Sequence, residues 1–92
     1  MELTEGVMYK FETKTCTVCK MMEPLIQEFQ KSNPEVIVQK IDPHNEMDLC
    51  EKFGISNLPT FLYMEGDEAQ MLSGMNDKKE FNKFTKQFLK TL

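Results

Sequence analysis

The chain has 92 residues, enough for one domain around a single core, expected to span residues 1–92 without a linker or repeat. Its residues are 40% apolar and 28% charged, which fits a globular protein and excludes a disordered or fibrous one. A formal net charge of −4 with no basic stripe argues against nucleic-acid binding, and no stretch reaches the roughly 18 apolar residues of a membrane span.

Gly6 to Glu12 reads as a first strand, its apolar character interrupted by Lys10 and Glu12. A helix is predicted from about Cys16 to Lys31, because Val18, Met22, Leu25, Ile26 and Phe29 recur at helical spacing. Pro24 falls inside it and is expected to kink it, and Ser32-Asn33-Pro34 ends it. The β-branched run Val36–Ile41 is a second strand. Asp42-Pro43-His44-Asn45 is a turn, with Asn45 as N-cap of a short helix that puts Met47, Cys50 and Phe53 on one face and stops at Gly54.

Thr60 to Met64 reads as a third strand, Glu65–Glu68 as a hairpin connection and Ala69–Ser73 as a fourth strand. Asp77 and Glu80 have the spacing of a capping box, opening a last helix that buries Phe81, Phe84, Phe88 and Leu92. Lysines 78, 79, 83, 86 and 90 alternate there with acidic residues and phenylalanines, as on a solvated helix face. The order βαβαββα predicts an α/β fold: a four-stranded mixed sheet with helices on both faces. Both strand–helix–strand units are expected to be parallel, with antiparallel pairing added by the hairpin.

Chemistry concentrates in Cys16-Thr17-Val18-Cys19, where the first strand gives way to a helix. Thiols at this spacing can close a disulfide across one helical turn, and the partial positive charge of a helix N-terminus favours the attacking thiolate. Cys16, at the helix start, is expected to be the nucleophile, and Cys19, one turn in and better buried, the resolving thiol. Three cysteines fit a redox pair plus one spare better than a disulfide framework. Met1–Glu5 is acidic and leads into no apolar run, so no signal peptide and a reducing, cytoplasmic setting are expected. A structural zinc site needs four ligands, and the element order gives Cys50 and His44 no reason to converge on the pair, so no metal and no cofactor are expected. His44 reads as a solvated turn residue and Cys50 as a small core residue.

Four features belong together: the Cys pair at a helix start with Phe11 ahead and Lys20 behind, Pro24, Phe53-Gly54-Ile55-Ser56-Asn57-Leu58-Pro59-Thr60, and Gly74. On these the chain resembles the thioredoxin family, closest to a short single-domain thioredoxin of glutaredoxin size. The likeness spans almost the whole chain and lacks the extra N-terminal strand and helix of longer thioredoxins. The resemblance implies the thioredoxin fold, a cis Leu58–Pro59 bond beside the disulfide, and reduction of protein disulfides. It also implies a substrate surface formed by Thr15, Thr17, Val18, Leu58, Pro59, Thr60, Gly74 and Met75, with Met21 flanking the helix. Expected partners are disulfide-containing proteins and a thioredoxin-reductase-type recycling enzyme, and the protein is expected to be a monomer.

The departures bear on mechanism. Thr17-Val18 replaces the usual Gly-Pro, Thr15 replaces a Trp, and Lys10 stands where thioredoxins bury an Asp. Strand alternation puts Glu12 on the same face as Lys10. Two readings stay open: the two ions pair with each other, or one of them handles the Cys19 proton. Two rival functions are a glutathione-dependent, glutaredoxin-like reductant and a non-catalytic binding subunit. The first lacks its Pro-Tyr between the cysteines, and the second leaves the intact Cys pair unexplained.

Overall fold

Side-chain alternation along two strands organises the protein. A computed structural model describes all 92 residues as β1 (Val7–Phe11), α1 (Thr17–Ser32), β2 (Ile37–Ile41), α2 (Met47–Phe53), β3 (Thr60–Glu65), β4 (Glu68–Ser73) and α3 (Lys78–Leu89). The strands form one mixed sheet in the order β2-β1-β3-β4. Met8 of β1 with Phe61 and Tyr63 of β3 point to one face, where Met22, Ile26 and Phe29 of α1 meet Phe81, Phe84 and Phe88 of α3. Tyr9 and Phe11 of β1 with Leu62 of β3 point to the other, where Leu49 of α2 closes a smaller cluster. The period of two in β1 and β3 therefore fills both cores, and helices cover both faces.

The larger core is aromatic. Phe81 packs edge-on against Phe29 and Phe61 at centroid distances of 6.3 and 5.2 Å, and Phe88 meets Tyr63 at 5.3 Å. Pro24 sits within α1, which continues unbroken around it, on a residue that faces solvent. Gly54 ends α2 with φ of 66°, a left-handed conformation that glycine adopts without strain.

One expected pairing is corrected. β1 and β2 are parallel, but β3 runs antiparallel to β1. The reason is the length of α2. Seven helical residues rise only about 10 Å, close to two strand spacings of about 4.8 Å. Such a helix can step over β1, but it is too short to return along the sheet, so β3 starts at the edge where β2 ended.

Smaller corrections concern helix ends. Glu46, not Asn45, occupies the N-cap of α2 and makes no side-chain cap. Met47 faces solvent, and the inward side of that helix is Leu49 with Cys50 and Phe53. Asp77 does cap α3, accepting the Glu80 amide at 2.9 Å, whereas Glu80 returns no side-chain bond. Leu92 lies beyond the last helical turn and is 60% exposed, so the buried stripe ends at Phe88.

This packing separates two C-terminal substitutions. Phe88→Ala removes a fully buried ring from the aromatic cluster and is expected to cost about 3–5 kcal/mol in urea unfolding. Leu92→Ala is expected to change stability by no more than about 0.5 kcal/mol. Equal losses would contradict the packing.

Candidate active site

The Cys pair is held by the local geometry of the β1–α1 junction. Cys16 occupies the N-cap of α1 with extended backbone, and its own amide donates to the Thr13 carbonyl at 3.3 Å. The Cys19 amide donates to the Cys16 sulfur at 3.1 Å, so the sulfur takes the place usually held by a Ser or Asp oxygen. One of the free amides of the first helical turn thus points at sulfur, where it favours negative charge. The two residues form a disulfide with Cα atoms 5.3 Å apart. Cys16 is half-buried between exposed Thr15 and Thr17, whereas Cys19 is only 3% exposed. Val18 is half-buried and packs against the larger core.

Register carries two further loops to the same edge of the sheet. Phe11, the last residue of β1, pairs with Thr60, the first of β3, and Thr60 pairs with Ser73, the last of β4. The Gly74 amide donates to the Pro59 carbonyl at 2.8 Å, joining the loops before β3 and after β4. The Leu58–Pro59 bond is cis. Thr60 is fully buried and donates its hydroxyl to the Asn57 carbonyl at 2.6 Å. Leu58 packs against the α2-side cluster, and its backbone amide and carbonyl enter none of the protein's hydrogen bonds. Met75 and Met21 are exposed.

Below the Cys pair lies a charge cluster. Lys10, on the α1 face of β1, has no exposed surface, and its Nζ lies 2.6 Å from Glu12 Oε1 and 2.6 Å from Glu23 Oε2. The Lys10–Glu12 pairing is therefore present, but as two-thirds of a larger cluster. Glu12 Oε2 also lies 3.8 Å from Lys40. Burial by itself would lower the Lys10 ammonium, but its hydrogen bonds to Glu12 and Glu23 and the charges of both carboxylates outweigh that and raise it above its ordinary value. Glu12 and Glu23 share with Cys19 the wall of a cavity of about 320 Å³ that Thr13, Lys14 and Lys20 complete.

Sequence reasoning missed Glu23. Two signals for it were present: it lies four residues after Cys19 on the same helix face, and a Lys in a buried strand requires counter-charge. The other singled-out residues stand apart. His44 is exposed, with Nδ1 3.1 Å from Asp42 Oδ1. Cys50 is half-buried and free, its thiol pushed up by burial and by Glu46. No three of the His, Cys, Asp and Glu side chains gather as metal ligands would.

A disulfide closed over the first turn of a helix, at the edge where three strands of a mixed sheet meet, defines a thiol–disulfide oxidoreductase. Comparison with known proteins narrows the class: the family described as Thioredoxin matches residues 2–87, and the chain belongs to the thioredoxin family. A Thioredoxin of Chlamydia muridarum is 32% identical over 73 residues, covering 78% of this chain and 72% of that relative. Thioredoxin-1 of Caenorhabditis elegans is 30% identical over 69 residues, covering 74% and 60%. Among solved structures, thioredoxin NaTrxh of Nicotiana alata matches with a TM-score of 0.71 at 28% identity, over 92% of this chain and 71% of its own. Mitochondrial thioredoxin 3 of Saccharomyces cerevisiae matches in fold with a TM-score of 0.74 at 23% identity, over 88% and 76%.

The raised Lys10 has a consequence for stability. Its ion pairs contribute fully below its ordinary value of 10.5 and are lost as pH rises through the raised one. Cys50 and Tyr63, both raised first by burial, also weaken the fold in alkali, so a difference measurement isolates the lysine. The unfolding free energy of the unsubstituted protein is expected to fall more steeply above pH 10.5 than that of Lys10→Met. Parallel curves would contradict a charged, paired Lys10.

Proposed function

We propose that residues 1–92 act as a single domain that reduces protein disulfides, with Cys16 as the nucleophile and Cys19 as the resolving thiol. The observation that carries this reading is the Cys16 sulfur at the helix N-cap, accepting the Cys19 amide at 3.1 Å, while Cys19 is almost fully buried. The Cys16 thiolate attacks one sulfur of a substrate disulfide, forming a mixed disulfide and releasing the first substrate thiolate. Cys19 then loses its proton and attacks the Cys16 sulfur, and the second substrate thiolate leaves and is protonated. Two electrons pass to the substrate, and the Cys16–Cys19 disulfide remains.

The substrate lies as an extended segment over Thr15, Thr17 and Val18, pairing with the free backbone of Leu58 beside Pro59 and Thr60. Gly74 and exposed Met75 border that surface. Glu12, beside the cavity that Cys19 lines, takes part in handling the Cys19 proton, and Lys10 is its partner. Recycling requires two electrons from a thioredoxin-reductase-type enzyme, which gives the protein a place in electron transport and in redox homeostasis of a reducing cytoplasm. No helix is long and apolar enough to cross a membrane. The exchange itself needs no cofactor, and we take the working unit to be a monomer.

Three measurements test this reading. Brief alkylation of the reduced protein at neutral pH, followed by mass mapping, is expected to label Cys16 ahead of Cys19. Cys19→Ser is expected to accumulate the mixed disulfide on Cys16, and preferential labelling of Cys19 would reverse the assignment. With only Thr17-Val18 between the cysteines and no cation there, the potential is expected nearer the thioredoxin value of about −270 mV than the oxidant value of about −120 mV. A value above roughly −180 mV would contradict a reductant.

A further inference from the structure

Cys19 must lose a proton within a wall that also holds Lys10's two partners, and the charge balance of that cluster is unusual. Lys10 is fully buried and equidistant, at 2.6 Å, from one oxygen of Glu12 and one of Glu23. The three groups carry one net negative charge. Lys14 and Lys20 are the other charged groups in the wall of the cavity that Cys19 lines, and both are cations, while Lys40 and Asp42 line an adjoining cavity on the other side of Glu12. The cluster's only proton acceptors are therefore the two carboxylates.

A single carboxylate would be a poor acceptor here. If Glu12 alone faced Lys10, protonating it would leave a buried ammonium with no counter-ion, which costs several kcal/mol. With two carboxylates, one takes the proton and the other still neutralises Lys10. The cluster then passes from one negative charge to none, and no buried charge is stranded.

We propose that Glu23 is the second half of the proton acceptor for Cys19, and that Glu12 and Glu23 work only as a pair because the buried Lys10 always requires one of them. Lys10 is the positioning residue. Its ammonium holds both carboxylates at the cavity and keeps its own proton throughout. Glu23 is placed for this by α1 itself, since residues four apart are neighbours on a helix face. In the resolving step the Cys19 S–H bond breaks and its proton passes, through water in the cavity, to one carboxylate. The thiolate forms the bond to Cys16 Sγ as the bond from Cys16 to the substrate sulfur breaks. The departing substrate thiolate then recovers the proton.

This inference rests on Cys19 being the resolving thiol, and the test separates the two. Mixing the reduced Cys50→Ala protein, whose only thiols are Cys16 and Cys19, with an equimolar amount of 5,5′-dithiobis(2-nitrobenzoate) in a stopped-flow instrument gives one coloured thiolate for attack by Cys16 and a second for resolution by Cys19. Thionitrobenzoate leaves as the anion, so the second phase reports the loss of the Cys19 proton. Glu23→Gln is expected to leave the first phase intact, which also shows the protein is folded, and to slow the second roughly 10²-fold, within the range of a positioned acid–base group. Adding Lys10→Met to Glu23→Gln removes the charge that holds Glu12, and is expected to restore the second phase to within roughly tenfold of the unsubstituted rate, with a shifted pH midpoint. A second phase unchanged by Glu23→Gln would overturn the pairing. So would a slow phase that Lys10→Met fails to rescue, because a merely structural Glu23 gives no reason for that rescue. If Cys19→Ser still gave the second phase at full rate, the resolving role itself would fall, whatever the glutamates did.

Discussion

A fully buried ammonium in a central strand is the constraint to which the rest of the site answers. Lys10 lies in β1, between β2 and β3, on the face where α1 packs. A buried charge without partners costs several kcal/mol, and the residue that follows β1 and the helix α1 each supply a carboxylate. Glu12 comes from the strand's end and Glu23 from the helix, and Lys10 spans the seam between them. The same seam carries Cys19. Removing the charge cluster would therefore alter both the docking of α1 and the surroundings of the thiol.

The proposed nucleophile depends on a different part of the same helix. Cys16 precedes the first turn, where amides lack intrahelical partners, and its sulfur receives one of them. Cys19 belongs to the turn itself and sits against the interior. The one-turn separation gives the two thiols opposite environments within a single short motif. A dithiol exchange needs this division, since one sulfur must reach a partner protein and the other must act only once the mixed disulfide exists. The sheet supplies the rest of the frame. The carboxyl ends of β1 and β4 and the amino end of β3 converge, so loops far apart in sequence stand together.

Much of this was legible in the chain. The apolar stretches Gly6–Glu12 and Thr60–Met64 marked the strands, the Cys pair marked the redox motif, and the resemblance carried by Leu58-Pro59-Thr60 pointed to the loop beside it. The direction of β3 was not legible from a strand–helix–strand pattern. It follows from α2 being too short to cross back; the sequence bounded that helix between Asn45 and Gly54, but the pattern of elements alone does not say that so short a helix cannot return along the sheet. Leu92 matched the helical period of Phe81, Phe84 and Phe88, but the helix had ended, and periodicity alone carries no stop signal there. Met47 was misplaced for a similar reason, since a helix of seven residues offers too few positions to define a face. Glu23 was hidden by its type. An acidic residue on an amphipathic helix reads as solvated until a buried cation is found opposite it.

In the proposed mechanism Lys10 remains a fixed cation between two carboxylates while the thiols react around it. Side-chain NMR of Lys10, following its ε-carbon or ζ-nitrogen shift across pH in the oxidised and the reduced protein, tests this directly. No titration is expected below the ordinary lysine value of 10.5 in either state. A deprotonation midpoint below that value in either state would contradict it, because a neutral Lys10 would need neither glutamate.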